Sequence, residues 1–280
     1  MSTNIYLYAF SNKSKITEEI IFIYKNLFNE GFKISASLWI CELLKEELSV
    51  DISSKLSSDD IIISIGGDGT LLRASKLACG HGNALLGINS GKLGFLTEFD
   101  LKNIRSYTSL IKNKNYSIEH RKLIKVQYKN ACEYALNDVV IYRGGFSKLI
   151  NISVHNSDGL ITSCVSDGII ISTPTGSTAY SLSAGGPIVS PDVNCLIITP
   201  ICAHSLMHRS ICVSNEQDLT ISISSVVSKN CQLIIDGSIK ESIASGDNVT
   251  VSNTNKYLKL IRFKNNNFFD KVKNKLSEWK

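Results

Sequence analysis

The chain has 280 residues, 43% of them hydrophobic, with a formal charge of +5 at pH 7, which excludes a disordered chain and leaves room for two domains of roughly 100–200 residues each. No run approaches the roughly 18 uninterrupted apolar residues of a membrane-spanning helix, and the start, Met1-Ser2-Thr3-Asn4-Ile5, lacks the basic segment and small-residue cleavage site of a secretory signal. The eight cysteines form no C-x-x-C pair and sit in apolar runs, which favours reduced thiols in a cytoplasmic protein over disulfides or zinc.

In chain order, residues 5–10 read as a strand. Residues 16–29 read as an amphipathic helix with Ile20, Ile23, Tyr24, Leu27 and Phe28 on one side. A strand over 32–37, a helix over 38–48, a strand over 60–65, a helix over 70–78 and a strand over 84–88 continue the alternation, which argues for a parallel sheet with helices on its faces. From about residue 119 the pattern turns β-rich, with strands over 123–128, 133–142, 149–155, 160–165, 169–172, 195–201, 219–226 and 231–235 and one helical stretch over 177–184. The expected organisation is an α/β domain over 1–100, with a Rossmann-like parallel sheet, and a mainly antiparallel β-rich domain over 101–256. A segment over 257–280 returns to the first domain. It holds a strand over 257–263 and a basic helix whose stripe Phe268, Val272, Leu276 and Trp279 fits docking on the body better than binding to lipid. Lys and Arg are enriched over 112–129 and in this tail, but no aromatic-interleaved basic motif marks a nucleic-acid partner, and no membrane partner is expected.

Three stretches carry chemistry. Gly66-Gly67-Asp68-Gly69-Thr70 follows the apolar run Ile61–Ile65 and precedes a helix-compatible segment, so one carboxylate sits in a glycine hinge at the carboxyl end of a buried strand. Glycine backbone approaches an anion closely and a helix N-terminus adds positive potential, a setting for a base that takes a proton from an alcohol during phosphoryl transfer. A plain turn with a helix-capping Asp fits the same residues. Residues 167–187 run from a buried strand into a turn rich in Pro, Gly and hydroxyls, then a short helix. Its hydroxyls and N–H groups suit ribose and phosphate oxygens, and Tyr180 suits a base, against the alternative of a solvated loop. Asn137 and Asp138 interrupt an apolar strand, either to bond a neighbouring loop or to grip ribose hydroxyls. Other motifs fail. Gly87-Ile88-Asn89-Ser90-Gly91-Lys92-Leu93 is one residue short of a P-loop, Leu72 breaks the G-x-G-x-x-G spacing, and His204 and His208 lack the Glu of a zinc helix.

Together and in this order, these stretches resemble the NAD kinase family. Gly66–Thr70 is similar to its first motif, Asn137-Asp138 to its Asn-acidic pair, residues 173–187 to its Thr/Gly/Ser signature, and Asn89-Ser90-Gly91-Lys92-Leu93-Gly94-Phe95-Leu96 to a segment between the first two. The first motif alone is shared with 6-phosphofructokinases and lipid kinases. The resemblance implies an α/β domain and a β-rich domain in a homodimer or homotetramer. It implies transfer of the γ-phosphoryl of ATP, with a divalent cation (Mg²⁺) carried by the ATP phosphates and no protein metal site, to the 2′-hydroxyl of the adenosine ribose of NAD. Asp68 would be the general base, and Gly66, Gly67, Gly69 and Thr70 the phosphate loop. NAD contacts would come from Asp68, Gly69, Arg73, Phe95, Asn137, Asp138, Asp167, Thr178, Ala179, Tyr180, Ser183 and Ser238.

Several positions depart from the family pattern: Val165 stands for an Arg, Asp138 for the commoner Glu, Ser238 for Gln, and Ala203 and Ser210 for prolines. A sugar or lipid kinase with the same first motif, or a non-catalytic dinucleotide sensor, is the alternative expectation.

Overall fold

The computed structural model describes residues 4–10, 14–91, 94–144, 149–205, 207–224, 231–263 and 267–277. Lys92, Leu93, Trp279 and residue 226 at the end of one foreseen strand lie outside the described residues. In chain order the elements are β1 (Asn4–Tyr8), α1 (Ser14–Asn29), β2 (Lys33–Ala36), α2 (Leu38–Leu48), β3 (Ile61–Ile65), α3 (Asp68–His81), β4 (Ala84–Asn89), β5 (Phe99–Asp100), α4 (Ile104–Lys112), β6 (Ser117–Tyr128), β7 (Ala131–Ala135), β8 (Asp138–Arg143), β9 (Ile150–Asn156) and β10 (Gly159–Ser166). They continue with β11 (Gly168–Ser172), α5 (Tyr180–Ser183), β12 (Cys195–Ile201), β13 (Ile211–Ser214), β14 (Leu219–Ser224), β15 (Cys231–Ile235), β16 (Ser238–Ile243), β17 (Asn248–Arg262) and α6 (Phe268–Ser277). The chain divides into one compact unit of Met1–His120 with Leu258–Lys280 and another of Arg121–Tyr257.

In the first unit, β2, β1, β3 and β4 lie side by side in parallel, and the end of β17 adds to β4 through Lys259 opposite Ala84. β3 reads Ile-Ile-Ile-Ser-Ile and is buried along its whole length, the pattern of a strand covered on both faces. Ile20, Ile23, Tyr24 and Leu27 of α1 pack into the same core as Ile5, Leu7, Ile63 and Leu86. The parallel α/β sheet expected for the start of the chain is present. Helix α4, absent from the sequence reading, closes this core with Ile104 and Ile111.

The second unit is two antiparallel layers over one core. One layer has the order β13-β12-β11-β8-β15-β16, and the other contains β10-β9-β14-β17 with the β6–β7 hairpin. Alternating burial along β9 and β14 puts Ile152, Val154, Ile221 and Ile223 inward, against Val139, Ile171, Ile198 and Leu233 of the facing layer.

Three local expectations are corrected. The strand foreseen over 133–142 is two strands: β7 pairs with β6, while β8 pairs with β11 and β15, so the chain changes layer at Leu136-Asn137. The helix foreseen over 177–184 is a 3-10 turn (Thr175–Thr178) and the short α5, separated by Ala179 at φ −100°, ψ −131°. Strands β13 and β16 and the long reach of β17 were not foreseen; their half-exposed polar residues mask the period-two pattern.

The tail helix α6 does pack on the first unit, with only part of the foreseen stripe. Phe268, Lys271, Val272 and Lys275 face inward while Leu276 is exposed, because a 3.6-residue period returns at the seventh position, not the eighth. Among the described residues no helix is long and apolar enough to cross a membrane, and all eight cysteines are free thiols.

Candidate active site

β3 ends in Gly66 at φ +142°, where an added Cβ would lie 2.5 Å from Thr70 Oγ1. Gly67 caps α3 in an extended conformation, its carbonyl accepting from Thr70 N at 3.0 Å and Leu71 N at 3.1 Å. Asp68 is therefore the first residue of α3. Its carboxylate does not cap its own helix; it reaches to the loop before β5. Oδ2 accepts from Phe95 N at 2.7 Å, and Oδ1 from Leu96 N and Thr97 N, each at 3.1 Å.

A carboxylate offers about four lone-pair sites, so this grip orients the group, and among the described residues Oδ2 takes a single donor. The loop can come this close only because residue 94 is glycine: a Cβ there would sit 1.9 Å from Asp68 Oδ1. Gly67 and Gly69 are exposed beside the carboxylate, at a helix start whose first N–H groups have no intrahelical acceptor. Arg73 is exposed and stacks its guanidinium over the Phe10 ring at 3.7 Å from the centroid. Phe95, expected as an NAD contact, contributes its amide to Asp68.

In the second unit a different carboxylate builds the turn between β7 and β8. Asp236 Oδ2 accepts from Leu136 N at 2.8 Å, and Oδ1 from Asn137 N at 2.8 Å and Asp138 N at 3.2 Å. Asp236 N donates in return to Asp138 O at 3.1 Å. The loop after β11 is sewn to this turn. Thr173 N donates to Asn137 O at 2.9 Å, Thr173 Oγ1 to Leu136 O at 2.6 Å, and Gly176 N to Thr173 Oγ1 at 3.1 Å. A Cβ at residue 176 would lie 2.1 Å from Asn137 O, so a glycine is required there as well.

Locked in this way, the Asn137 side chain keeps its Oδ1 buried with no hydrogen-bond partner among the described residues. Asp138 is buried beside Asp236, and desolvation together with that second carboxylate pushes its pKa up to about 7.

Tyr180 is exposed at the start of α5. Partial burial of its hydroxyl raises its pKa, with Tyr142, Cys202, Asp167 and Asp138 adding to the shift, which places these groups in one electrostatic neighbourhood. Asp167 is ion-paired with Arg143 Nε, and its main chain bonds Ile201 and Arg143 on either side. Thr178 and Ala179 close the 3-10 turn on Thr175 and Gly176, Ser183 is exposed one turn further along, and Ser238 opens β16 half-buried just after Asp236-Gly237. Val165, where the family has an Arg, is exposed on β10. No three His, Cys, Asp or Glu side chains converge as a metal cage among the described residues.

The first unit thus gathers Gly66, Gly67, Asp68, Gly69, Thr70 and Phe95, and the second gathers Asn137, Asp138, Asp167, the 178–183 stretch and Ser238. Sequence reasoning missed Gly94, Asp236 and Arg143 as parts of these clusters. The Asp-Gly pair between two apolar runs was a legible hairpin signal for residues 236–237. Nothing local marked the Asp236 carboxylate as the acceptor for a turn 98 to 100 residues away.

Two stretches of the chain match known protein families. Residues 44–116 match the ATP-NAD kinase N-terminal domain, and residues 136–263 the ATP-NAD kinase C-terminal domain. An NAD kinase of Thermoanaerobacter sp. (strain X514) is 39% identical over 250 residues, covering 86% of this chain and 88% of its own. An NAD kinase of Caldanaerobacter subterraneus subsp. tengcongensis is 41% identical over 227 residues, covering 79% of this chain and 80% of its own. In fold, the chain is similar to yeast NADH kinase complexed with NADH, at TM-score 0.86 and 24% identity over 99% of this chain and 88% of that one. It is also similar in fold to an NAD kinase from Archaeoglobus fulgidus in complex with ATP, at TM-score 0.77 and 22% identity over 98% of this chain and 99% of that one. The chain belongs to the NAD kinase family.

Proposed function

We propose that the protein is an NAD kinase that transfers the γ-phosphoryl of ATP to the 2′-hydroxyl of the adenosine ribose of NAD, giving NADP, with Asp68 as the general base. The observation that carries the assignment of the base is the held, partly exposed carboxylate at the start of α3, whose Oδ2 takes a single donor among the described residues. A ribose hydroxyl is a weak nucleophile near neutral pH, so a fixed acceptor that takes its proton as the new P–O bond forms lowers the barrier. Gly66, Gly67, Gly69 and Thr70 form the phosphate loop, their small side chains and the helix N-terminus favouring anionic oxygens. A divalent cation, Mg²⁺ by the chemistry of phosphate oxygens, enters as part of the ATP substrate.

In the second unit, Asn137 Oδ1 is a buried acceptor without a protein donor, and a ribose hydroxyl would satisfy it. Asp138 completes the adenosine contact, Tyr180 with Thr178, Ala179 and Ser183 forms the adenine-side wall, and Asp167 meets the nicotinamide end. Arg73, Phe95 and Ser238 add contacts to the dinucleotide. A cytoplasmic homodimer or homotetramer belongs to the same reading, and light scattering tests the assembly.

Purified full-length protein with ATP, Mg²⁺ and NAD is expected to form NADP. Asp68→Asn is isosteric but removes the base and one of the two accepting oxygens, so kcat is expected to fall by about 10²–10⁴-fold with little change in KM for NAD. An unaffected rate removes Asp68 from its role. Turnover of fructose 6-phosphate or diacylglycerol in place of NAD would reassign the substrate.

A further inference from the structure

The loop that grips Asp68 is itself gripped from behind. The peptide joining Leu96 to Thr97 gives its N–H to Asp68, and its carbonyl oxygen accepts from Arg262 Nη1 at 2.8 Å. In the next peptide, Thr97 O accepts from Lys271 Nζ at 2.9 Å while Glu98 N donates to Gly87 O at 2.8 Å. Thr97 Oγ1 accepts from Gly94 N at 2.8 Å and closes the loop on itself.

Both cations meet on the Glu98 carboxylate, whose side chain is wholly buried: Arg262 Nη1 lies at 2.8 Å and Lys271 Nζ at 3.4 Å from Oε2. Glu98 Oε1 also accepts from Phe263 N at 2.8 Å, and Arg262 Nε pairs with Glu119 Oε2 at 2.6 Å. Every residue in this chain of contacts belongs to the first unit.

Lys271 is the buried residue of α6. Burial and the facing Arg262 pull its pKa down to about 8, against Glu98 and Asp68, which favour its charge. A buried ion pair of this kind can often be exchanged for apolar packing at no loss of stability, so folding alone is a poor account of a lysine here. Its geometry supplies a better one: the ammonium holds the carbonyl immediately behind the amides that hold the carboxylate.

We propose that Lys271 is a positioning residue for Asp68: α6 inserts its ammonium behind the 94–98 loop, with Arg262, so that the amides of Phe95, Leu96 and Thr97 form a fixed cradle. The catalytic consequence rests on Asp68 acting as the base; the cradle itself does not.

Lys271→Met keeps the unbranched side chain and removes the donors. Amide hydrogen exchange on the unliganded full-length protein is expected to speed up at Phe95, Leu96 and Thr97 by about tenfold or more, while core amides of β1 and β3 keep their wild-type protection. In steady-state assays kcat for NADP formation is expected to fall about tenfold, because a small displacement of a positioned group is costly, with KM for NAD within about twofold. Lys271→Arg, which keeps a charged donor, should recover most of both effects. Glu98→Gln loosens the shared anchor and should move both readouts in the same direction as Lys271→Met.

Unchanged exchange at the three amides, an even loss across the core amides, an arginine variant as impaired as the methionine one, or a silent Glu98→Gln would each overturn the proposal. A native protein that makes no NADP removes the kinase reading, while the exchange experiment still decides whether Lys271 sets the cradle.

Discussion

The two units solve the same local problem with the same device and for different ends. In each, one aspartate gathers three consecutive backbone N–H groups, two on Oδ1 and one on Oδ2: Asp68 takes those of residues 95–97, and Asp236 those of residues 136–138. Asp236 is 8% exposed and sits in a tight turn at φ +48°, so its carboxylate is spent on shaping the chain where it crosses between layers. Asp68 is only partly buried beside exposed glycines, and its loop is backed by Arg262 and Lys271. The contrast teaches that an amide-gripped carboxylate is not in itself a sign of chemistry. What separates the two is exposure: Asp68 is only partly buried beside exposed backbone, whereas Asp236 is a buried anchor whose product is the position of a neighbour, Asn137.

The comparison can be broken first at Asp236. Asp236→Ala leaves three N–H groups without their acceptor, and the expected loss is about 3 kcal/mol of stability, since an unsatisfied buried polar group costs about 1–3 kcal/mol. Calorimetry would show it as a lowered Tm, and titration calorimetry should show weakened NAD binding as the Asn137 turn relaxes. A wild-type Tm would mean the turn is held by other contacts.

The first unit is tested next, at Gly94. The Cβ of Gly94→Ala would fall 1.9 Å from Asp68 Oδ1, so carboxylate and loop must part. We expect kcat to fall about 10–10²-fold with a smaller change in Tm than in the Asp236 variant, because the strain is relieved at an accessible edge. A variant with wild-type kcat would show that the cradle is not needed for turnover.

A further test sharpens the contrast through pH. Burial and Asp236 raise the pKa of Asp138 from 3.8 to about 7 in the folded protein. Between about pH 4 and 7 the folded state then binds more protons than the unfolded chain, so stability contributed by this group falls as pH rises and the full penalty stands above pH 7. Asp138→Asn should remove that slope: the Tm difference between variant and wild type should grow in the variant's favour from pH 4.5 to 7.5. A constant difference across that range would mean Asp138 is not held protonated.

Much of the frame was legible in the chain. The buried run Ile61–Ile65, the helix with Ile20, Ile23, Tyr24 and Leu27 inward, and the β-rich second half follow from hydrophobic period and turn residues. The breaks were harder. Residues 133–142 read as one strand on paper, and only a partner for Leu136 and Asn137 distant in sequence turns it into two strands in two layers. In α6, Phe268 and Val272 do face inward, but the most buried side chain is Lys271, which no apolar stripe marks.

By itself the sequence determined the alternation of strands and helices, the glycine hinge that puts Asp68 at a helix start, and membership of the NAD kinase family. The first two depend on neighbours two to four residues apart and the last on motifs taken in order, all of it spacing written in the chain. Tertiary structure alone decided which amides meet Asp68, 27 to 29 residues onward, and that a tail lysine 173 to 174 residues from its acceptors would brace them. Hydrogen-bond partners across such separations are chosen by how the packed elements bring backbone groups to one place, and no local period encodes that choice.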